Sequence, residues 1–70
     1  MDKTDVQRKA QEALDRFPDL LWELRGIMQM MNNMIEAGAS EETEADLAIE
    51  QIDELVADHV NKMMARKEAL

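Results

Sequence analysis

The sequence predicts an all-α fold, an antiparallel helical hairpin that dimerises into a four-helix bundle. A heptad pattern of apolar residues runs from Val6 to Met34, a short turn containing a glycine follows, and a second amphipathic segment completes the chain. With 70 residues the chain is one domain, residues 1–70. Two helices alone cannot cover apolar faces this wide, so a second copy is expected to complete the core.

The first helix is predicted to span about residues 5–36. Thr4 and Gln7 match a capping box at its start. Pro18 lies inside the helical pattern and removes a backbone donor, so a kink is expected there. The apolar spacing of four and three residues continues across this proline, which favours one kinked helix. The alternative is a true reversal between Asp15 and Asp19, which would give a monomeric three-helix bundle.

The second helix is predicted to span about residues 41–67, after a turn at residues 37–40. Gly38 can adopt the left-handed conformation that ends a helix, and Ser40 can cap the next one. So short a turn makes the two helices antiparallel. The residues predicted to form the dimer core are Leu20, Leu24, Ile27, Met31, Met34, Ile52, Val56 and His59.

His59, the only histidine, falls on the apolar face of the second helix at the expected level of Pro18 to Leu20. One interpretation is a pH-sensitive or register-setting polar contact in the bundle. The other is an inert, hydrogen-bonded histidine at the edge of the core. The position three residues earlier, where helical di-iron sites carry a glutamate, holds Val56. We therefore predict no metal and no cofactor.

Composition argues against several classes of function. The formal net charge of −8 disfavours direct contact with nucleic acid and with anionic membranes. There is no cysteine and no glycine-rich phosphate loop, and a hairpin bundle this small has little room for a catalytic pocket. We therefore expect a non-enzymatic protein. We also expect it to be cytoplasmic, since no signal-peptide or membrane-spanning pattern is present.

The only tryptophan, Trp22, falls on the side of the first helix opposite to the heptad pattern. Gly26, Gln29 and Asn33 share this face, and all are uncharged. A tryptophan beside a glycine, which lets another backbone approach closely, is typical of a binding anchor. The competing interpretations are that this face packs inside a larger oligomer, or that the indole folds over its own helix.

An acidic ridge is predicted along the second helix. Its members are spaced four residues apart and repel one another: Glu42, Asp46, Glu50, Glu54 and Asp58. One interpretation is a surface that imitates nucleic-acid phosphates and occupies a DNA- or RNA-binding protein. The other is a solvated acidic face, helped in its first turn by the helix dipole.

A capped helix, a tight turn and a second amphipathic helix resemble the hairpin of the plasmid RNA-organising Rop family. That resemblance implies a dimeric four-helix architecture. It implies no RNA binding, because this chain lacks the family's basic face. The chain also resembles, in size and charge, acidic helical proteins from phage and plasmid accessory genes that block a host protein. We therefore expect a homodimeric inhibitor or modulator that binds an unidentified protein, the alternatives being a nucleic-acid mimic or a structural subunit of a helical assembly.

Overall fold

The computed structural model describes residues 1–69, with side chains through residue 67, and contains three α-helices. They are α1 (Lys3–Arg16), α2 (Leu21–Glu36) and α3 (Glu41–Ala69), and a 3-10 turn at Pro18–Leu20 joins the first two. No β-strand occurs among residues 1–69. The arrangement is elongated, with extents of 48 × 18 × 17 Å.

Helix α1 runs parallel to α3. The amino-terminal ammonium lies 3.8 Å from a carboxylate oxygen of Asp46. Further along both helices, Lys9 Nζ lies 2.7 Å from Asp53 Oδ1. The Phe17 ring centroid is 4.9 Å from that of His59. Residue numbers thus rise together on both helices, whereas the tight turn after α2 makes α2 antiparallel to α3. The chain is a three-helix bundle, which was the alternative considered from the sequence.

The kinked helix expected over residues 5–36 is instead two helices separated by a chain reversal. Helix α1 ends when Phe17, whose N–H donates to the Ala13 carbonyl, leaves the helical region with φ −136° and ψ 79°. Pro18 cannot donate to the preceding turn and disfavours a helical Phe17. A new helical segment then begins. Pro18 is the first residue of the 3-10 turn, and the Leu20 N–H donates to the Phe17 carbonyl.

The start of α1 also differs from expectation. The N-cap is Asp2, not Thr4, and its carboxylate accepts from the Asp5 N–H at 3.1 Å. The Asp5 carboxylate accepts from the Asp2 N–H at 3.2 Å, which completes a capping box with aspartate at both positions. Two carboxylates at the positive end of the helix dipole are favourable, and with this cap the helix begins two residues earlier than expected, at Lys3.

The turn between α2 and α3 has the residues that the sequence predicts. Gly38 has φ +106°, a conformation open to glycine at little cost. The Ala39 N–H donates to the Met34 carbonyl and the Gly38 N–H to the Ile35 carbonyl, each at 3.0 Å, as in a Schellman motif. Ser40 Oγ accepts from the Thr43 N–H at 3.5 Å and caps α3. The two helices are therefore fixed as an antiparallel pair.

One core contains residues from all three helices. Its buried members are Val6, Ala13, Leu20, Leu24, Met31, Ala45, Ala48 and Ile52. Four of the residues assigned to the dimer core, namely Leu20, Leu24, Met31 and Ile52, are thus buried within one chain. Ile27 and Val56 pack partly buried against them, and Met34 is exposed. Helix α1 takes the place that the Rop-like hairpin model gave to a second copy.

Candidate functional site

The outer surface of α2 is the face directed away from the core. We call it the α2 surface, and it includes the four residues singled out in the sequence together with two methionines: Trp22, Gly26, Gln29, Met30, Asn33 and Met34. All six are exposed, and none carries a charge. Leu24 and Met31, on the opposite side of the same helix, are buried, so the folding of the bundle fixes which way the α2 surface points.

Trp22 is 74% exposed. The guanidinium carbon of Arg25 lies 5.6 Å from the centroid of the indole ring, within the range of a cation–π contact. An indole folded over its own helix would be largely covered, so the exposure of Trp22 argues against that interpretation. Fully desolvating this side chain requires a second molecule.

Gly26 borders open space. A Cβ atom built on it meets no heavy atom within 4 Å. Packing within the chain therefore does not require glycine at this position of the helix. Together with Gln29, Met30, Asn33 and Met34, Gly26 lines a shallow depression of about 270 Å³. This depression lies one helical turn beyond Trp22 and offers amide hydrogen-bonding groups between two thioethers.

Met30 and Met34 were not predicted for this site. The sequence assigns Met34 to the dimer core; in this chain it is 45% exposed, and Met30 is 60% exposed. The heptad pattern assigns Met34 to a seam shared by two helices and a second copy, whereas the three-helix bundle leaves its side chain on the outside of α2. The signal for Met30 was its place beside Gln29, outside the heptad positions. Flexible thioethers make the α2 surface adaptable to an apolar partner.

We expect Gly26→Ala to stabilise the isolated chain by about 0.5 to 1 kcal/mol, because glycine in a helix interior costs that much relative to alanine. The open space around Gly26 leaves room for the methyl group. Urea denaturation followed by circular dichroism measures this change. A loss of stability would show that the backbone at Gly26 is more crowded than described.

The acidic ridge is exposed along its whole length. Asp46 faces the amino-terminal ammonium, and Asp58 pairs with Lys62 Nζ at 3.0 Å one turn later. Within the described part of the chain, Glu42, Glu50 and Glu54 form no ion pair. The ridge is thus partly neutralised at two positions, and its middle remains negative.

His59 lies at the chain reversal, at the level predicted from the sequence. Its ring meets the Phe17 ring edge-on, and its Nε2 is 3.5 Å from Asp19 Oδ2. The imidazole is 20% exposed and the Asp19 carboxylate 69% exposed. The contact joins α3 to the loop that ends α1, so His59 packs against its own chain.

The described residues contain no group of three histidine, cysteine or acidic side chains placed to hold a metal ion. None of the helices within residues 1–69 combines the length and the hydropathy needed to cross a membrane. Comparison with known proteins finds no matching family model, curated protein or solved structure.

Proposed function

We propose that this chain is a non-enzymatic protein-binding module, an inhibitor or modulator of another protein, and that it acts as a homodimer. The α2 surface is the proposed binding site. The single observation that carries the proposal is a tryptophan held 74% exposed on the outer face of α2, with only the Arg25 guanidinium over its ring. Leaving so large an apolar side chain in water gains nothing for the isolated chain, whereas a partner that covers it gains apolar burial.

The chemistry of the α2 surface describes the partner. An apolar face or helix is expected, since none of the six residues of the α2 surface carries a charge that could pair with a desolvated ionic group. Arg25, beside Trp22, is the one cation that could pair with an acidic group of the partner there. Gly26 permits close backbone approach, and the amides of Gln29 and Asn33 can satisfy polar backbone groups at the rim. Trp22 is the anchor, because buried tryptophans commonly contribute most to the affinity of an interface.

We expect Trp22→Ala to weaken partner capture tenfold or more, in line with the truncation of an interface hot spot at about 2 kcal/mol or above. The measurement is a tagged pull-down from source-cell lysate in about 0.1 M and about 0.5 M salt, followed by titration of the captured protein. A contact anchored by Trp22 survives the higher salt, where the screening length falls to roughly 4 Å. Leu47→Ala, which truncates an exposed apolar residue of α3, is the matched control.

Gly26→Ala supplies a second arm of the same experiment. It is expected to reduce capture while raising stability, a combination that a general folding defect cannot produce. If Trp22→Ala leaves capture unchanged, or if Leu47→Ala reduces it equally, the α2 surface is not the binding site. If Trp22→Ala instead changes the native mass of the protein, the chain is better described as a structural subunit of a larger helical assembly.

The acidic ridge favours a second candidate function, that of a nucleic-acid mimic. Its support is the exposure of Glu42, Glu50 and Glu54 without ion pairs in the described region. A partner held by the ridge would be basic, released at about 0.5 M salt and lost with the double variant Glu50→Gln, Glu54→Gln. The same pull-down therefore separates the two candidate functions.

A further inference from the structure

Helix α3 is much longer than the helices packed against it. It has 29 residues, against 14 in α1 and 16 in α2. The other helices meet at the Pro18–Leu20 turn, which lies at the level of His59. Residues 61–67 of α3, which we call the overhang, extend past this level, and every one of them is exposed. The bundle therefore covers only the first two-thirds of α3.

The apolar stripe of α3 continues into the overhang. Ile52 is fully buried, Val56 and Val60 are partly buried, and Met63 is 47% exposed. These positions follow helical spacing, so they lie on one side of α3, and Met64, 56% exposed, lies beside them. The apolar stripe thus begins in the core and continues past the end of the bundle, where neither α1 nor α2 covers it.

A groove between α1 and α3 adjoins this stripe. It encloses about 530 Å³, and its floor contains Ala13, Ile52, Val56 and Ala57. Val60 follows Val56 by one helical turn, so the floor of the groove and the stripe of the overhang form one apolar surface. The rim of the groove carries Lys9, Glu12, Asp15, Arg16 and Asp53.

The overhang is basic, whereas the rim of the groove has a small excess of acids. Residues 61–67 contain three bases, Lys62, Arg66 and Lys67, and no acid. The groove rim carries three acids and two bases, and Lys9 is already paired with Asp53 at 2.7 Å. Apart from the overhang, α3 from residue 41 to residue 58 contains acids and no base. The overhang is thus the part of α3 that can approach another copy of this acidic protein without repulsion.

We propose that a second copy of the chain covers this surface, with the overhang of each protomer lying antiparallel in the α1–α3 groove of the other. The two-fold axis passes near Val60. Each Met64 then reaches Val56 and Ala57 of the other copy, and each Lys67 approaches its Glu12. Such an isologous pairing uses the groove and the overhang twice and leaves no open end. It replaces the dimer core expected from the sequence.

This inference specifies how the proposed homodimer forms, and it leaves the α2 surface free. The test is the native mass of the 8.0 kDa chain, measured by analytical ultracentrifugation across a concentration series. Wild type is expected to move from one to two chains per particle. Met64→Glu is expected to weaken dimerisation at least tenfold. Met30→Glu, the same substitution at a methionine of similar exposure on the α2 surface, is expected to leave it unchanged.

The charge contact has its own reciprocal test. Lys67→Glu is expected to weaken dimerisation several-fold, and adding Glu12→Lys is expected to restore it. A monomeric wild type at every concentration, a particle of more than two chains, or dissociation by Met30→Glu and not by Met64→Glu would each overturn this dimer. Capture of a partner through Trp22 is measured separately, so a failure of one proposal does not count against the other.

Discussion

Ile52→Ala is expected to lower the free energy of unfolding by about 2 to 5 kcal/mol, the range found when a large aliphatic side chain is removed from a core. Ile52 has no exposed surface and lies in the one cluster that joins α1, α2 and α3. A single core of this size supplies only about 3 to 5 kcal/mol in total, so the variant is expected to be largely unfolded. Urea denaturation followed by circular dichroism measures the loss.

Leu47→Ala is the matched control, since it makes a similar truncation on α3 at a residue that is 44% exposed. Surface truncations of this kind change the free energy of unfolding by about 0.5 kcal/mol or less. Equal destabilisation by the two variants would contradict the placement of Ile52 at the centre of the core. The proposed dimer would add stability that depends on protein concentration, so both variants are compared at the same concentration.

Much of the fold follows from local signals in the sequence. The helical spacing of apolar residues predicts an all-α chain, Gly38 and Ser40 predict the second turn, and the gap between heptad positions places Trp22 outside the core. Each of these features depends on residues within about one or two helical turns of one another. Local backbone chemistry and helix periodicity decide such features, so the sequence is enough to predict them.

The chain reversal at Pro18 depends on a choice that the sequence pattern does not contain. A continuous apolar stripe can be buried in two ways. One long helix can pack against a second copy, or two shorter helices can fold back on each other within one chain. In both arrangements Val6, Ala13 and Leu24 face a core, so the spacing of these apolar residues is the same whichever topology forms. Pro18 permits either a kink or a break, and tertiary packing decides which occurs.

The candidate binding surfaces also differ in how far the sequence predicts them. Trp22, Gly26, Gln29 and Asn33 lie on one helix, so helix periodicity alone groups them. The α1–α3 groove has no sequence signal, because it exists only once α1 has folded back beside α3. The assignment of Met34 to a dimer core also depends on topology, since it follows from one helix that continues from residue 5 to residue 36. Surfaces built by one helix are predictable here, and surfaces built between helices require the topology.

Cross-linking separates the two topologies with the largest contrast. The chain has no cysteine, so thiols introduced in pairs are the only reactive ones. A short bis-maleimide is expected to link Lys9→Cys to Asp53→Cys within one chain in high yield, since the native side chains are 2.7 Å apart. The pair Lys9→Cys and Lys67→Cys is expected to give almost no link within one chain. Those sites are separated by about 21 Å along α3, at a rise of about 1.5 Å per residue.

A kinked helix running from residue 5 to residue 36 would reverse both results, because counting back from the turn places Lys9 beside the end of α3. Losing the Lys9–Asp53 ion pair costs little, since exposed ion pairs contribute about 0 to 1 kcal/mol, so the double variant remains folded. Denaturing electrophoresis separates links within one chain from links between two. In the proposed dimer the second cysteine pair yields a two-chain product, because Lys67 of one copy then lies near the α1–α3 groove of the other.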